Sequence, residues 1–327
     1  MRPYALFVLA VIAASPATAR AQSRPDSVSL RFGWPAGASA RVDQEWSRVQ
    51  VTPARRDSIG VRSRYRLLVR AHPEGRLVQS DSFVITSASP AKAPSQAGAA
   101  EAQQLIARLG SFQPSYVVSA EGEFVRLEGA ERTKRLLDSL FAPLMRDMAG
   151  APSGAREMFR SLSSPAVLTA AAAQDWNSIA GTWIGANWEV GEWYGTEQEE
   201  LSPMFPGLEI PMQYEFSAAE RVPCSAGESA RRCVRLEMVS APDSAALRAL
   251  VGDFLARLAP DQKALLANLQ SMRTTSELTV ITDPRDLRPY EVTLVKRVDV
   301  SVAPAAGEPG GATTRIDTRR ARYSWSP

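Results

Sequence analysis

Residues 61–86 read VRSRYRLLVRAHPEGRLVQSDSFVIT, and the fold class follows from them. Val61, Tyr65, Leu67 and Val69 fall on one parity, and Arg62, Arg64, Arg66 and Arg70 on the other. A period of two that separates apolar from charged residues describes a strand with one buried face. His72-Pro73-Glu74-Gly75 has turn composition, and RLVQSDSFVIT returns as the partner strand.

The same layout recurs along the chain. YVVSAEGEFVRLE (116–128) turns at Glu121-Gly122. MQYEFSAAERV (212–222) and CVRLEMV (233–239) flank a cysteine-bearing connection. SELTVI (276–281) and PYEVTLVKRVDVSV (289–302) flank Asp283-Pro284-Arg285-Asp286. Segments 28–33 and 40–51 predict an opening strand pair around Pro35-Ala36-Gly37, and a last strand is predicted over 313–325. Hairpin connections make every pairing antiparallel.

Between the hairpins lie stretches of helical period. Residues 98–109 align Leu105, Ile106 and Leu109. Residues 131–148 align Leu136, Leu137, Leu140, Phe141, Leu144, Met145 and Met148, with Pro143 expected to kink or split the helix. Residues 155–180 read as helical, with Ser164-Pro165 as cap and first turn. Residues 243–272 start at an Asp243 cap, break at Pro260-Asp261 and resume at Leu265, Leu266 and Leu269. Residues 88–100 and 303–312, rich in Pro, Ala and Gly, read as loops. The expected class is α+β: a large curved antiparallel sheet, half-barrel-like, with amphipathic helices packed on one face. Two hairpin-helix-hairpin halves, 22–150 and 183–327, are joined by a helical insert at 151–182, as separate domains or one continuous one.

The first 21 residues predict a leader. Arg2 precedes an apolar run from Tyr4 to Ala14, Pro16 ends it, and Ala19-Arg20-Ala21 offers a small-x-small cleavage site. The run is too short for a membrane span, and no cysteine follows it for lipidation. The expected location is the periplasm or the exterior. The leader carries Arg2 and Arg20 and no acid, so the mature chain holds 36 basic against 35 acidic residues. A net of +1 gives no support to a nucleic-acid partner. No later segment is apolar enough for a transmembrane helix. In an oxidising compartment the two cysteines, Cys224 and Cys233, are expected to close a disulfide across the 212–239 hairpin.

This layout resembles the half-barrel proteins of the bacterial envelope, which include lipoprotein carriers and related lipid-binding proteins. It is also similar to uncharacterised exported families that repeat blocks such as Tyr116-Val117-Val118 and Gly122-Glu123-Phe124-Val125. The resemblance implies a concave apolar surface able to hold an acyl chain, and it carries over no functional residue.

No catalytic motif stands out. The single histidine, His72, sits in a turn, and there is no Gly-x-Ser-x-Gly elbow or glycine-rich phosphate loop. One histidine and a bridged cysteine pair predict no zinc or copper site and no cofactor. Three surfaces are candidates for binding. WIGANWEVGEWYGTEQEE (183–200) sets Trp183, Trp188, Trp193 and Tyr194 beside Glu189, Glu192, Glu197, Glu199 and Glu200. It reads either as one long strand or as an aromatic, acidic binding surface; paired carboxylates there are what a glycosidase would need. The Arg62, Arg64, Arg66 and Arg70 row either binds anionic headgroups or faces the acidic 183–220 strands within the protein. Leu137, Phe141 and Met145 either line a lipid cavity or pack helix on sheet. The functions kept open are a non-enzymatic carrier of an amphipathic ligand, an envelope module that binds a protein partner, and a carboxylate-dependent hydrolase.

Overall fold

The computed structural model describes residues 26–89, 115–147, 163–201, 209–258, 269–303 and 311–326. The predicted leader, the predicted helix at 98–109, nearly all of the two predicted loops, and the predicted break at Pro260-Asp261 with Leu265 and Leu266 lie outside the described residues. Thirteen strands and three helices are described: β1 (Ser27–Ser29), β2 (Ser39–Val51), β3 (Arg56–His72), β4 (Gly75–Ser89), β5 (Ser115–Val118), β6 (Phe124–Glu128), α1 (Ala130–Asp147), α2 (Pro165–Ile179), β7 (Asn187–Glu189), β8 (Trp193–Leu201), β9 (Glu209–Val222), β10 (Cys233–Pro242), α3 (Ser244–Leu258), β11 (Leu269–Thr282), β12 (Pro289–Val302) and β13 (Gly311–Trp325). Helices are a smaller part of the fold than an α+β reading implies.

Eleven strands form one antiparallel sheet in the order β6-β5-β4-β3-β2-β13-β12-β11-β10-β9-β8. It is an up-and-down meander whose chain ends meet in the middle: Trp325 pairs with Ala40 and Thr314 with Val51. The sheet does not close, because its edges β6 and β8 are not paired with each other. It is nonetheless strongly curved. Helix α2 packs against both β6 and β12, and five strands lie between them. A flat sheet would put those two strands about 29 Å apart, yet adjacent residues of α2 reach both sides: Trp176 donates to Gly122 just before β6, and Asp175 pairs with Arg319 of β13, beside β12.

Four hairpin connections, at 73–74, 119–123, 223–232 and 283–288, lie at one end of the sheet, called here the turn end, while the β2–β3 turn at 52–55 lies at the other. Gly75 is required in the first of them. Its φ is +139°, and a Cβ would sit 2.3 Å from the Val118 carbonyl oxygen. Across this end runs the segment 26–34, which departs from the predicted opening strand pair. β1 pairs with β7, not with β2. Leu30 N–H donates to Ala186 O at 2.9 Å and Gly33 N–H to Asp286 O at 3.0 Å. Arg221 grips Asp26 with two hydrogen bonds at 2.8 and 2.9 Å, which hold that carboxyl below its usual range. Three apolar residues of this strap, Val28, Leu30 and Trp34, are fully buried, so it closes the turn end as a plug.

Helix starts follow the sequence closely. Ser164 accepts from the Val167 N–H at the head of α2, and Asp243 accepts from Ala245 and Ala246 N–H at the head of α3. Two helix expectations change. α1 runs unbroken through Pro143, and Leu269 opens strand β11 rather than ending a helix. Its pairing partner Val302 decides that, because ladder bonds to β12 override a short leucine pattern.

Cys224 and Cys233 are bridged, with Cα atoms 5.0 Å apart, at the β9–β10 turn. A disulfide fits an oxidising compartment outside the cytoplasm. Among the described residues no helix is long and apolar enough to cross a membrane. Closing a ring of this size is worth about 2–3 kcal/mol of chain entropy. Reduction, or replacement of both cysteines by serine, is expected to lower the thermal midpoint by about 4 °C. Calorimetry with and without reductant measures it, and an unchanged midpoint would show that the bridge adds nothing.

Candidate ligand-binding trough

The alternation of β2 and β13 sets which side chains face the helices. Ala40, Val42, Gln44, Trp46 and Arg48 share the concave face of β2. Their cross-strand partners Trp325, Tyr323, Ala321, Arg319 and Asp317 share it on β13. Along this face the character changes from one end to the other.

The turn-end half is filled. Trp176 of α2 is fully buried, with ring centroids 5.2 Å from Trp34, 5.6 Å from Phe32 and 5.6 Å from Tyr116. Trp325 meets Trp34 at 5.2 Å. Trp183, on a single 3-10 turn after α2, is buried against Trp188 and Phe216. A small cavity between Asp175, Tyr65, Tyr116 and Tyr323 has room for about one water molecule.

Midway along the face, Arg319 of β13 forms an ion pair with Asp175 of α2. The Asp175 carboxylate keeps the Arg319 guanidinium firmly protonated. Beneath the pair lie Tyr65, Tyr116 and Tyr323, each 3–4% exposed. Burial pushes all three phenols above their ordinary range, Tyr116 and Tyr323 the furthest.

From the level of this pair outward the same face is only half-buried. Its apolar members are Trp46 of β2, Ile59 and Val61 of β3, Met272 of β11, and Val298 and Val300 of β12. None belongs to the buried core cluster. In their midst Asp317 binds two guanidiniums, Arg48 at 2.5 Å and Arg315 at 2.7 Å. Arg48 also lies 5.2 Å from the Trp46 ring centre. Lys296 of β12 pairs in register with Asp317, is exposed, and makes no ion pair among the described residues.

The residues singled out by sequence are scattered over the molecule. The Arg row lies on the convex face, where Arg62 pairs with Glu45 at 3.1 Å, Arg64 with Asp43 at 2.7 Å and Arg66 with Asp81 at 2.7 Å. Its partners come from the adjacent strands β2 and β4; the acidic 183–220 segment lies five strands or more away. Such exposed pairs contribute about 0.2–1 kcal/mol each. Arg70, on the same convex face, is exposed.

Residues 183–200 do not form one strand. Trp183 is in the 3-10 turn, Trp188 and Glu189 are on β7, and Gly191, at φ +94°, turns the chain into β8. Trp188 and Tyr194 stack with centroids 5.8 Å apart, while Trp193 is 49% exposed on the sheet edge. Glu189 and Glu192 thus sit on different segments rather than on one strand. On α1, Leu137 is buried; Phe141 and Met145 lie on the following turns, where side chains are outside the described residues. The cluster of Arg48, Asp317, Arg315 and Lys296 was not foreseen. Its signal was the alternation of Arg315, Asp317 and Arg319, which has no meaning until β13 is placed beside β2.

Fold and site together define an open, curved antiparallel sheet holding a helix in the turn-end half of its concave face. No protein-family model matches the chain, and no curated protein does. Among solved structures, an outer membrane channel from Pseudomonas putida F1 aligns with 90% of this chain and 98% of that chain at 10% identity. Its TM-score of 0.17 is too low to bear on fold or function.

Proposed function

We propose that this is an exported, non-enzymatic protein that holds an amphipathic ligand in the trough between its curved sheet and its helices. One observation carries the reading. The concave face is solid at the turn end, yet from the level of Arg319 outward it presents Trp46, Val61, Ile59, Met272, Val298 and Val300 half-buried, with charged groups among them. A surface of apolar side chains with a few placed polar groups is what small-molecule sites use. The resemblance to envelope half-barrels points the same way, and within it the ligand would be a lipid or another acyl-bearing molecule.

A second reading is favoured by β8, an open edge strand with Trp193 and Tyr194 exposed beside Glu197, Glu199 and Glu200. Unpaired strand edges are sites of strand addition by partner proteins. Native mass spectrometry of the mature protein purified from a bacterial periplasm, followed by solvent extraction, separates the two. The expected result is a co-purified mass in the acyl-lipid range. A clean apo mass, together with no uptake of an added fluorescent fatty acid, would overturn the trough reading and favour the edge.

A further inference from the structure

The polar part of the trough has a definite sign. On β2, β12, β13 and α2 its concave-face cations are Arg48, Arg315, Arg319 and Lys296, and its carboxylates are Asp317 and Asp175; Glu200, on the same face of β8 with four strands between it and β13, accepts from Gln198. Asp57, one step beyond Ile59 on β3, is occupied by Arg55 at 2.8 Å. Asp317 is 17% exposed and held by two arginines, so it offers little to a ligand. Each arginine reaches that carboxylate through its Nε–H, and a guanidinium carries four further N–H donors. Lys296 stands opposite on β12, exposed and without a counter-charge among the described residues. On either side along the concave face lie Val298 and Leu294, and Trp46 and Ile59 lie next to Arg48.

We infer that the trough selects an anionic amphiphile, whose phosphate or carboxylate head sits among Lys296, Arg48 and Arg315 while its apolar chain lies over Trp46, Val61 and Val298. Three cations around one shared carboxylate leave an excess positive charge that an anionic head complements. A zwitterionic or cationic head would place its own ammonium against Lys296 and the arginines. The inference rests on the trough reading and adds the class of ligand to it.

The test is calorimetric titration of the mature protein with dodecyl phosphate, laurate and dodecylphosphocholine, each below its micelle concentration and at about 50 mM salt. Inorganic phosphate alone is a fourth titrant. Dodecyl phosphate and laurate are expected to bind about tenfold more tightly than the phosphocholine. Lys296→Glu is expected to remove that advantage. Lys296 is exposed and unpaired, so the variant should fold, and an unchanged thermal midpoint confirms that it does. Equal binding of all three amphiphiles, or indifference to Lys296→Glu, overturns the inference but leaves the trough intact. Binding of none of them overturns the trough itself. Tight binding of inorganic phosphate without a chain would show an anion site and exclude the amphiphile. If laurate binds and dodecyl phosphate does not, the head is a carboxylate; the reverse assigns a phosphate.

Discussion

Replacing Trp176 by alanine should cost about 4 kcal/mol of folding free energy, toward the upper end of what a buried aromatic loses on truncation. The ring is fully buried and meets Phe32, Trp34 and Tyr116 at once. Its Nε1–H donates to the Gly122 carbonyl at 2.8 Å across 54 residues of sequence. Truncation therefore removes apolar burial, opens a cavity at the junction of helix, strap and sheet, and strands a buried carbonyl. Natural domains hold about 5–15 kcal/mol in total, so this one side chain accounts for a large share. Urea unfolding followed by far-ultraviolet circular dichroism measures the loss. Trp193→Ala is the control: that ring is half exposed on the sheet edge, and its loss should stay within about 0.5 kcal/mol. A loss below about 1 kcal/mol for Trp176→Ala would contradict the packing of α2 into the sheet.

The second large effect is alkaline. Tyr65, Tyr116 and Tyr323 are buried together beneath the Asp175–Arg319 pair, and burial raises each phenol above its ordinary range. Below about pH 10 both folded and unfolded tyrosines are protonated, and these groups make stability independent of pH. Above it the unfolded phenols ionise while the folded ones keep their protons. The unfolded state then binds fewer protons than the folded state, so stability falls as pH rises. Each tyrosine contributes a slope of about 1.4 kcal/mol per pH unit, and the three together about 4 kcal/mol. Urea midpoints taken between about pH 8 and about pH 11.5, with tyrosinate absorbance read in parallel, give the slope. Tyr214 on β9, also pushed up by burial, adds a fourth share to the measured slope, so Tyr323→Phe should remove about a quarter of it. A folded-state tyrosinate signal near pH 10 as large as that of the unfolded protein would refute the buried cluster.

Elements whose signals are local were legible in the sequence. The β3–β4 hairpin is legible because alternation of period two and a Pro-Glu-Gly turn act within a few residues. The caps at Ser164 and Asp243 are legible because a side chain there needs only the next turn's N–H groups. The Cys224–Cys233 bridge is legible because nine residues of hairpin bring the pair together in an oxidising setting. Where local signals conflicted, tertiary pairing won. Leu269 carries a helical leucine pattern but lies in β11 against Val302, and residues 183–200 divide because β7 is drawn off to pair with β1 in the strap.

The site was less legible than the fold. The arginines that drew notice, at 62, 64 and 66, are neutralised on the convex face by Asp43, Glu45 and Asp81. The cations that face the trough drew none, because alternation marks two faces of a strand without saying which one a helix covers.

The sequence by itself determined the hairpins, their antiparallel sense, the helix starts and the disulfide, since each depends on residues within a turn or two of one another. Only the tertiary structure decided that β13 pairs with β2 across 269 residues at Arg48 and Asp317. It also decided that segment 26–34 plugs one end, and that Trp176 and Asp175 tie α2 to the concave face. Those contacts come from apolar surfaces and charges far apart in the chain meeting in space, and no periodicity along the chain records which distant partner each will meet.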